Sequence, residues 1–190
     1  MTSHTLYTFR RCPFAMRARW SLLLTNQSVN YIEVDLKNKP KELTSISPKA
    51  TVPVLVTNTG LIIDESIDII QWSFSNHTSS EIQLNNHNEF KTLVNNFLIQ
   101  NDNIFKFHLD RYKYSNNHSN SSRLFHRQEA TDVLVQWNNL LSPGEQSTHK
   151  WLISGTQSIA DIALWPFVRQ FMMVDKDFFY HNMYLTNLRY

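Results

Sequence analysis

Glycine and cysteine are scarce in this chain of 190 residues, which has three glycines and one cysteine. Because the glycines are isolated at Gly60, Gly144 and Gly155, neither a Walker loop nor a dinucleotide-binding loop can form. The single cysteine, Cys12, excludes an internal disulfide and any zinc site that needs two thiolates. The eight histidines lack HExxH-like spacing, so we expect no metal site.

Long apolar runs are also missing, so the sequence predicts no membrane-spanning helix. The N-terminus lacks the basic and then apolar character of a signal peptide. With a lone free cysteine, these features predict a cytoplasmic protein in a reducing compartment.

Charge is nearly balanced, with 18 basic and 16 acidic residues. Four arginines nevertheless crowd around Cys12, at positions 10, 11, 17 and 19. A nucleic-acid-binding protein usually carries a broader basic face, so we expect no nucleic-acid partner. The cluster suits a small anionic ligand, although an ordinary solvated charged face is the alternative interpretation.

Hydrophobic patterning divides the chain into two predicted domains, residues 1–75 and 86–190, with a polar linker at 76–85. The first domain alternates strand and helix signals in the order β-α-β-α-β-β-α, with a hairpin turn at 57–60. The predicted strands are 5–9, 29–36, 52–56 and 61–63, and the predicted helices are 14–25, 40–46 and 65–74.

The second domain reads as helical throughout. Apolar stripes with a period of 3.6 residues run through 90–112 and 130–141. A third helix is expected to begin at Ser158, with Asp161 completing a capping box. Pro166 falls inside that helix and should kink it without ending it.

The segment around Cys12 carries the clearest chemical signal. Cys12 and Pro13 stand where a strand ends and a helix begins, and proline suits the first helical turn. A thiol there faces unpaired N–H groups and the positive end of the helix dipole, which favour thiolate. The alternative is a buried, unreactive cysteine, but the strand–Cys-Pro-Phe–helix context favours a reactive thiol.

Two further segments suggest ligand contacts. Pro53 should sit at a strand start, and a trans Val52–Pro53 bond is the expected state. A cis bond there would present the Val52 main chain to an extended peptide-like ligand. Glu65 and Ser66 open a helix, so together they could bind a free amino-acid head; a plain helix N-cap is the alternative.

Taken together, these segments resemble the cytosolic glutathione transferase family, in an omega-like subgroup that uses cysteine. The resemblance is carried by the order and spacing of Cys-Pro-Phe at 12–14, LKNKP at 36–40, TVPVL at 51–55, DES at 64–66 and SIADIALWPFVRQF at 158–171. It implies a thioredoxin-like N-terminal domain followed by a helical glutathione-transferase C-terminal domain.

By this resemblance Cys12 is the catalytic residue, and glutathione is the co-substrate. Six residues then occupy the positions that hold glutathione: Phe14, Lys39, Val52, Pro53, Glu65 and Ser66. Lys39 meets a carboxylate, and Val52 pairs with the cysteinyl main chain. Glu65 and Ser66 take the γ-glutamyl head.

The resemblance implies glutathione-dependent thiol–disulfide exchange, with dehydroascorbate reduction as a related reaction. Two alternatives stay open: a non-catalytic binding or scaffold protein, and a transferase that conjugates glutathione to electrophiles. The co-substrate is accordingly a disulfide or an electrophile, and a homodimer is expected. Family members usually continue with one more helix beyond the position of Tyr190, so we also expect an open site that favours bulky disulfides.

Overall fold

The computed structural model describes residues 3–75, 88–114, 120–141, 151–153 and 155–189. The chain divides into two compact units, Met1–Ser80 and Glu81–Tyr190. The predicted linker at 76–85 falls outside the described residues. The predicted domain boundaries therefore stay predictions.

The first unit has a thioredoxin-like architecture. Its elements are β1 (His4–Thr8), α1 (Pro13–Leu24), β2 (Val29–Glu33), α2 (Lys41–Ile46), β3 (Val54–Val56), β4 (Ile62–Ile63) and α3 (Ser66–Ser75). The strands lie in the order β2-β1-β3-β4. Strand β1 runs parallel to β2 and antiparallel to β3, and β3 runs antiparallel to β4. This order of elements is the one that the sequence patterning predicts.

Both faces of this sheet are covered by helices. Neighbouring residues of a strand point to opposite sides, so β1 contributes to the core on each face. On one face, Leu6 of β1 packs against α1 and α3 in a cluster completed by Ala18, Leu22, Leu55 and Ile69. On the other face, Tyr7 packs against α2 in a cluster completed by Val34, Leu43 and Val54. Strand β1 is therefore the buried centre of the unit, and its carboxyl end leads directly to Cys12.

The link between β3 and β4 is a tight hairpin turn, as predicted. The Gly60 N–H donates to the Thr57 carbonyl at 3.0 Å. Gly60 has φ of 86°, a left-handed conformation that glycine adopts without a steric penalty.

The second unit is helical in its described part. It contains α4 (Asn88–Ile99), a π-helical segment (Gln100–Phe105), α5 (Lys106–Lys113), α6 (Asn120–Leu140), α7 (Ile159–Val174), α8 (Lys176–His181) and a 3-10 turn (Asn187–Arg189). The rings of Phe105, Tyr112, Trp137 and Phe171 pack together in its core. None of the described helices is long and apolar enough to cross a bilayer.

Helix α7 begins with the predicted capping box. Ser158 and Asp161 make both reciprocal contacts, and the Ser158 N–H donates to the Asp161 carboxylate at 2.8 Å. The helix continues through Pro166 to Val174, so proline does not end it. The predicted kink stays a prediction.

Candidate functional site

Cys12 lies at the junction between β1 and α1. It is the N-cap of α1, with extended backbone angles, and its partly exposed side chain makes no capping hydrogen bond. Pro13 occupies the first helical turn, where its missing N–H costs no intrahelical bond. No acidic residue lies in that turn, so the helix N-terminus offers an uncompensated positive field to an anion at Cys12.

The thiol of Cys12 lies beside the loop that precedes β3. Its Sγ atom is 3.7 Å from the carbonyl oxygen of Val52, a weak S–H···O contact. The next residue, Pro53, is buried at the start of β3, as expected for a proline that cannot donate to the ladder. The fold thus brings the predicted catalytic residue to the predicted main-chain site.

The Val52–Pro53 peptide bond is cis. The expectation of a trans bond is therefore wrong. Cis is the minority state of an X–Pro bond in general, so residue type alone favours trans, whereas here the surrounding fold fixes the minority state.

Arg17 connects α1 to the start of α3. It lies one turn after Pro13 and is almost fully buried, with 2% of its surface exposed. Its Nε atom donates to Oγ of Ser66 at 2.9 Å, and its guanidinium lies 4.8 Å from the centre of the Phe14 ring. Two predicted glutathione-binding residues, Phe14 and Ser66, are thus held by one buried cation.

Arg19 has a structural task in the loop between β1 and α1. Its guanidinium donates to the Thr8 hydroxyl and to the carbonyls of Phe9 and Arg10, the last two at 3.2 and 3.0 Å. Partial burial lowers the pKa of Arg19, while the Glu33 carboxylate acts in the opposite direction. The four arginines near Cys12 therefore fall into two groups. Arg17 and Arg19 are buried or partly buried and make structural contacts, whereas positions 10 and 11 are exposed.

Glu65 is exposed immediately before α3, and its carboxylate forms an ion pair with Lys49. The hydrogen bond to Glu65 raises the pKa of Lys49, and Asp64, whose carboxylate is 3.9 Å from the ammonium, adds to this. The predicted ammonium-binding carboxylate therefore already binds an ammonium group of the chain itself.

Lys39 takes no part in these contacts. It is exposed in the segment between β2 and α2, just before Pro40, the N-cap of α2. Its role in glutathione binding stays a prediction.

Sequence patterning placed Arg17 in the arginine cluster around Cys12, but it missed the pairing of Arg17 with Ser66 and it missed Lys49. Arg17 and Ser66 are 49 positions apart in the sequence, so no local motif predicts their contact. Lys49 lies in an unpatterned loop, and its pairing with Glu65 likewise depends on the tertiary fold.

Four aromatic residues of the second unit have different environments. Phe105 and Tyr112 are fully buried in its core. Phe107 and Tyr114 are 44% and 64% exposed. Within the described residues, no group of three or more histidine, cysteine or acidic side chains is arranged to hold a metal ion.

Comparison with known families and proteins gives a consistent result. Residues 6–81 match the family described as "Glutathione S-transferase, N-terminal domain". A curated protein of Aplysia californica, described as a probable glutathione transferase, is 34% identical over 58 residues. That match covers 30% of this chain and 63% of the relative.

Solved structures extend the likeness in fold to nearly the whole chain. Glutathione transferase URE2P8 from Phanerochaete chrysosporium, solved with oxidized glutathione, superposes with a TM-score of 0.78 at 16% identity, over 98% of this chain and 87% of that one. Glutathione transferase Omega 3C from Trametes versicolor gives 0.75 at 18%, over 92% and 76%. Leishmania TDR1, a trimeric glutathione transferase, gives 0.72 at 25%, over 98% of this chain and 42% of that one.

Proposed function

We propose that this chain, whose residues 6–81 match the glutathione S-transferase N-terminal domain and whose fold is that of glutathione transferases, is a glutathione-dependent thiol transferase. The observation that carries this proposal is the position of Cys12. Cys12 is the N-cap residue of α1 and has a partly exposed thiol, at the position where tyrosine or serine would serve a conjugating enzyme. Together with Pro13 and Phe14, it supports the omega-like, cysteine-using subgroup.

The reaction has two exchange steps. The Cys12 thiolate attacks the glutathione sulfur of a mixed disulfide, forming a Cys12–glutathione disulfide and releasing the substrate thiolate, which takes up a proton. A glutathione thiolate then attacks the glutathione sulfur of this adduct, which yields oxidized glutathione and restores Cys12. Alanine occupies position 15, where a second cysteine of a CxxC motif would lie, so free glutathione has to resolve the adduct.

Glutathione would bind beside Cys12 through groups of the first unit. The Val52 main chain pairs with its cysteinyl part, Ser66 donates to the γ-glutamyl carboxylate, and Glu65 accepts from the γ-glutamyl ammonium. Phe14 and Pro53 shape the surface, and Lys39 meets the remaining carboxylate. Helix N-termini favour such anionic groups because their N–H groups are free to donate.

We further propose that the chain acts as a homodimer in the cytoplasm. A two-fold dimer is the commonest oligomer of soluble proteins, and a free thiol persists in a reducing compartment. Sedimentation at micromolar concentration that finds only monomer would count against the dimer.

The experiment that tests the reaction compares two assays on the same preparations. Wild type should reduce the mixed disulfide of glutathione and hydroxyethyl disulfide, and Cys12→Ser and Cys12→Ala should not. Mass spectrometry of wild type after exposure to oxidized glutathione should show one glutathione adduct, on Cys12. Conjugation of an aryl halide without disulfide reduction would instead identify a conjugating transferase, and inactivity in both assays, with glutathione still bound, a binding or scaffold protein.

A further inference from the structure

A pair of histidines on two neighbouring helices of the second unit lies outside the site described above. His108 is on α5 and His126 is on α6, and both side chains are partly buried. Their Nδ1 atoms are 3.0 Å apart. The rings of Phe107 and Phe125 contact both imidazoles, so aromatic walls hold the two rings in place.

The short distance between two like nitrogens restricts their protonation. One Nδ1 has to carry the hydrogen and the other has to offer its lone pair, because two N–H donors would repel each other. Burial lowers the pKa of His108, and Arg111 acts in the same direction, while Glu129 opposes both. An imidazole nitrogen that offers its lone pair in this way is the form that binds metals.

We propose that His108 and His126 form a two-imidazole site for a late first-row divalent metal, with Cu²⁺ and Ni²⁺ preferred over Zn²⁺. The metal takes the place of the shared hydrogen, and that proton moves to Nε2 of the same imidazole, so both rings stay neutral. Two metal–nitrogen bonds of about 2.05 Å that span the observed 3.0 Å enclose an angle of about 94° at the metal. That angle suits the cis positions of a square-planar or tetragonal ion.

Zinc fits this geometry less well. Tetrahedral coordination requires the two nitrogens to be about 3.3 Å apart, so the helices or the imidazole rings would have to shift. Water would fill the remaining coordination positions of the metal, since the described residues supply no third histidine, cysteine or carboxylate to the pair. The negative charge of Glu129 favours the cation and the positive charge of Arg111 opposes it.

The expectation of no metal site rests on motif spacing along the sequence. Here the two ligands are 18 positions apart, on separate helices, so spacing cannot reveal them. A bound ion would join α5 to α6. Because it binds the folded state only, it should raise the midpoint temperature of unfolding as its concentration rises.

The test uses the full chain in a Cys12→Ser background, so that the thiol neither binds nor reduces Cu²⁺. NiCl₂ and CuCl₂ are titrated by calorimetry into this parent, into His108→Gln and His126→Gln variants, and into a His181→Gln control. His181 is exposed, and its ring bonds to a carbonyl of its own helix, that of Asp177. Each pair variant should weaken binding by at least about tenfold and abolish the thermal shift, whereas the control should match the parent.

Equal affinity in the parent and both pair variants would overturn the proposal, as would an equal loss in the control. Circular dichroism establishes that each variant is folded. A measurement that needs no pair variant accompanies the titration: substoichiometric Ni²⁺ should broaden the imidazole NMR signals of His108 and His126 first. Broadening confined to other histidines would overturn the proposal even if a pair variant did not fold.

Discussion

Arg17 donates from Nε to Oγ of Ser66 across 2.9 Å, and both side chains are buried. A serine oxygen can accept this bond while its hydroxyl hydrogen donates elsewhere. Arg17 therefore fixes the serine with its hydrogen available to a ligand. The same guanidinium lies over Phe14, so one side chain positions residues of both α1 and α3.

Arg17→Met should lower both stability and glutathione affinity. The change leaves the buried Ser66 oxygen without this donor, and we expect a loss of about 1–3 kcal/mol in the free energy of unfolding. Urea denaturation and calorimetry with glutathione measure the two effects. Arg169→Met, at an exposed position on α7, is the control and should change neither. If folded Arg17→Met bound glutathione with full affinity, Ser66 would not depend on Arg17 for its position in the binding site.

Ser66→Ala tests the ligand contact itself. Loss of the hydroxyl should weaken glutathione binding by about 1–3 kcal/mol, the range for a hydrogen bond to a charged group. Ser45→Ala removes an exposed hydroxyl that donates to the Glu42 carbonyl within α2, and it should leave the affinity unchanged. Alkylation of Cys12 by iodoacetamide should proceed in both variants. Unchanged calorimetric affinity in Ser66→Ala would refute the assignment of the γ-glutamyl site.

Lys49→Met should strengthen glutathione binding. The Lys49 ammonium occupies the Glu65 carboxylate that we assign to the ligand's own ammonium, so its removal ends a competition. Because both side chains are more than half exposed, the gain in glutathione affinity should be small, and it should shrink in high salt. Lys41→Met, on the exposed start of α2, is the matched control. Weaker binding in Lys49→Met would instead make Lys49 a direct glutathione contact.

The order of elements in the first unit was predictable because it depends on local patterning. Leu6 and Tyr7 face two different cores, as alternation along a strand predicts, and α1 begins at Pro13, where a proline predicts a helix start. Strand β2 is less regular, since Ile32 is 37% exposed although strict alternation would place it on the same face as buried Val34. Because β2 is an edge strand, an apolar side chain in it can stay partly exposed.

The second unit shows where periodicity is insufficient. The apolar stripe at 90–112 predicts one helix, yet a π-helical segment from Gln100 to Phe105 interrupts it. Asn101 lies within that segment, fully buried, and one extra residue in the turn changes which side chains face the core. The contact between Cys12 and Val52 also depends on the tertiary fold: the sequence singled out both residues, but it did not show that they touch.

Stability should fall with acidification through His108. Its pKa in the folded chain lies below the ordinary value of 6.5, so the unfolded chain binds more protons just below that pH. The stabilising contribution is complete above about pH 6.5 and is lost as the pH falls through the folded pKa. Urea denaturation between about pH 5.5 and 7.5, with chelator present, should give a smaller pH dependence in His108→Gln than in wild type. Identical slopes would show that His108 is not a source of acid sensitivity.

Glu129→Gln tests the same histidine, His108, by removing a neighbouring negative charge. Removing the carboxylate that favours protonation should lower the pKa of His108 further and steepen the loss of stability in acid. Glu42→Gln, an exposed change in the first unit, is the control.

Asp161→Asn should destabilise the second unit more than Ser158→Ala does. The buried Asp161 carboxylate accepts from the N–H and the hydroxyl of Ser158, at 2.8 and 2.6 Å, and from the N–H of Leu152 at 2.9 Å. Removing the serine hydroxyl should cost about 1 kcal/mol, the usual value of an N-cap. An asparagine amide can accept through one oxygen only and turns its NH₂ toward a donor, so at least one N–H loses its partner, at about 1–3 kcal/mol for that group alone. Asp132→Asn, whose carboxylate accepts from exposed Gln128, should cost less than about 0.5 kcal/mol in the same urea titration. Equal costs for Asp161→Asn and Ser158→Ala would mean that the bond to Leu152 adds nothing to the cap.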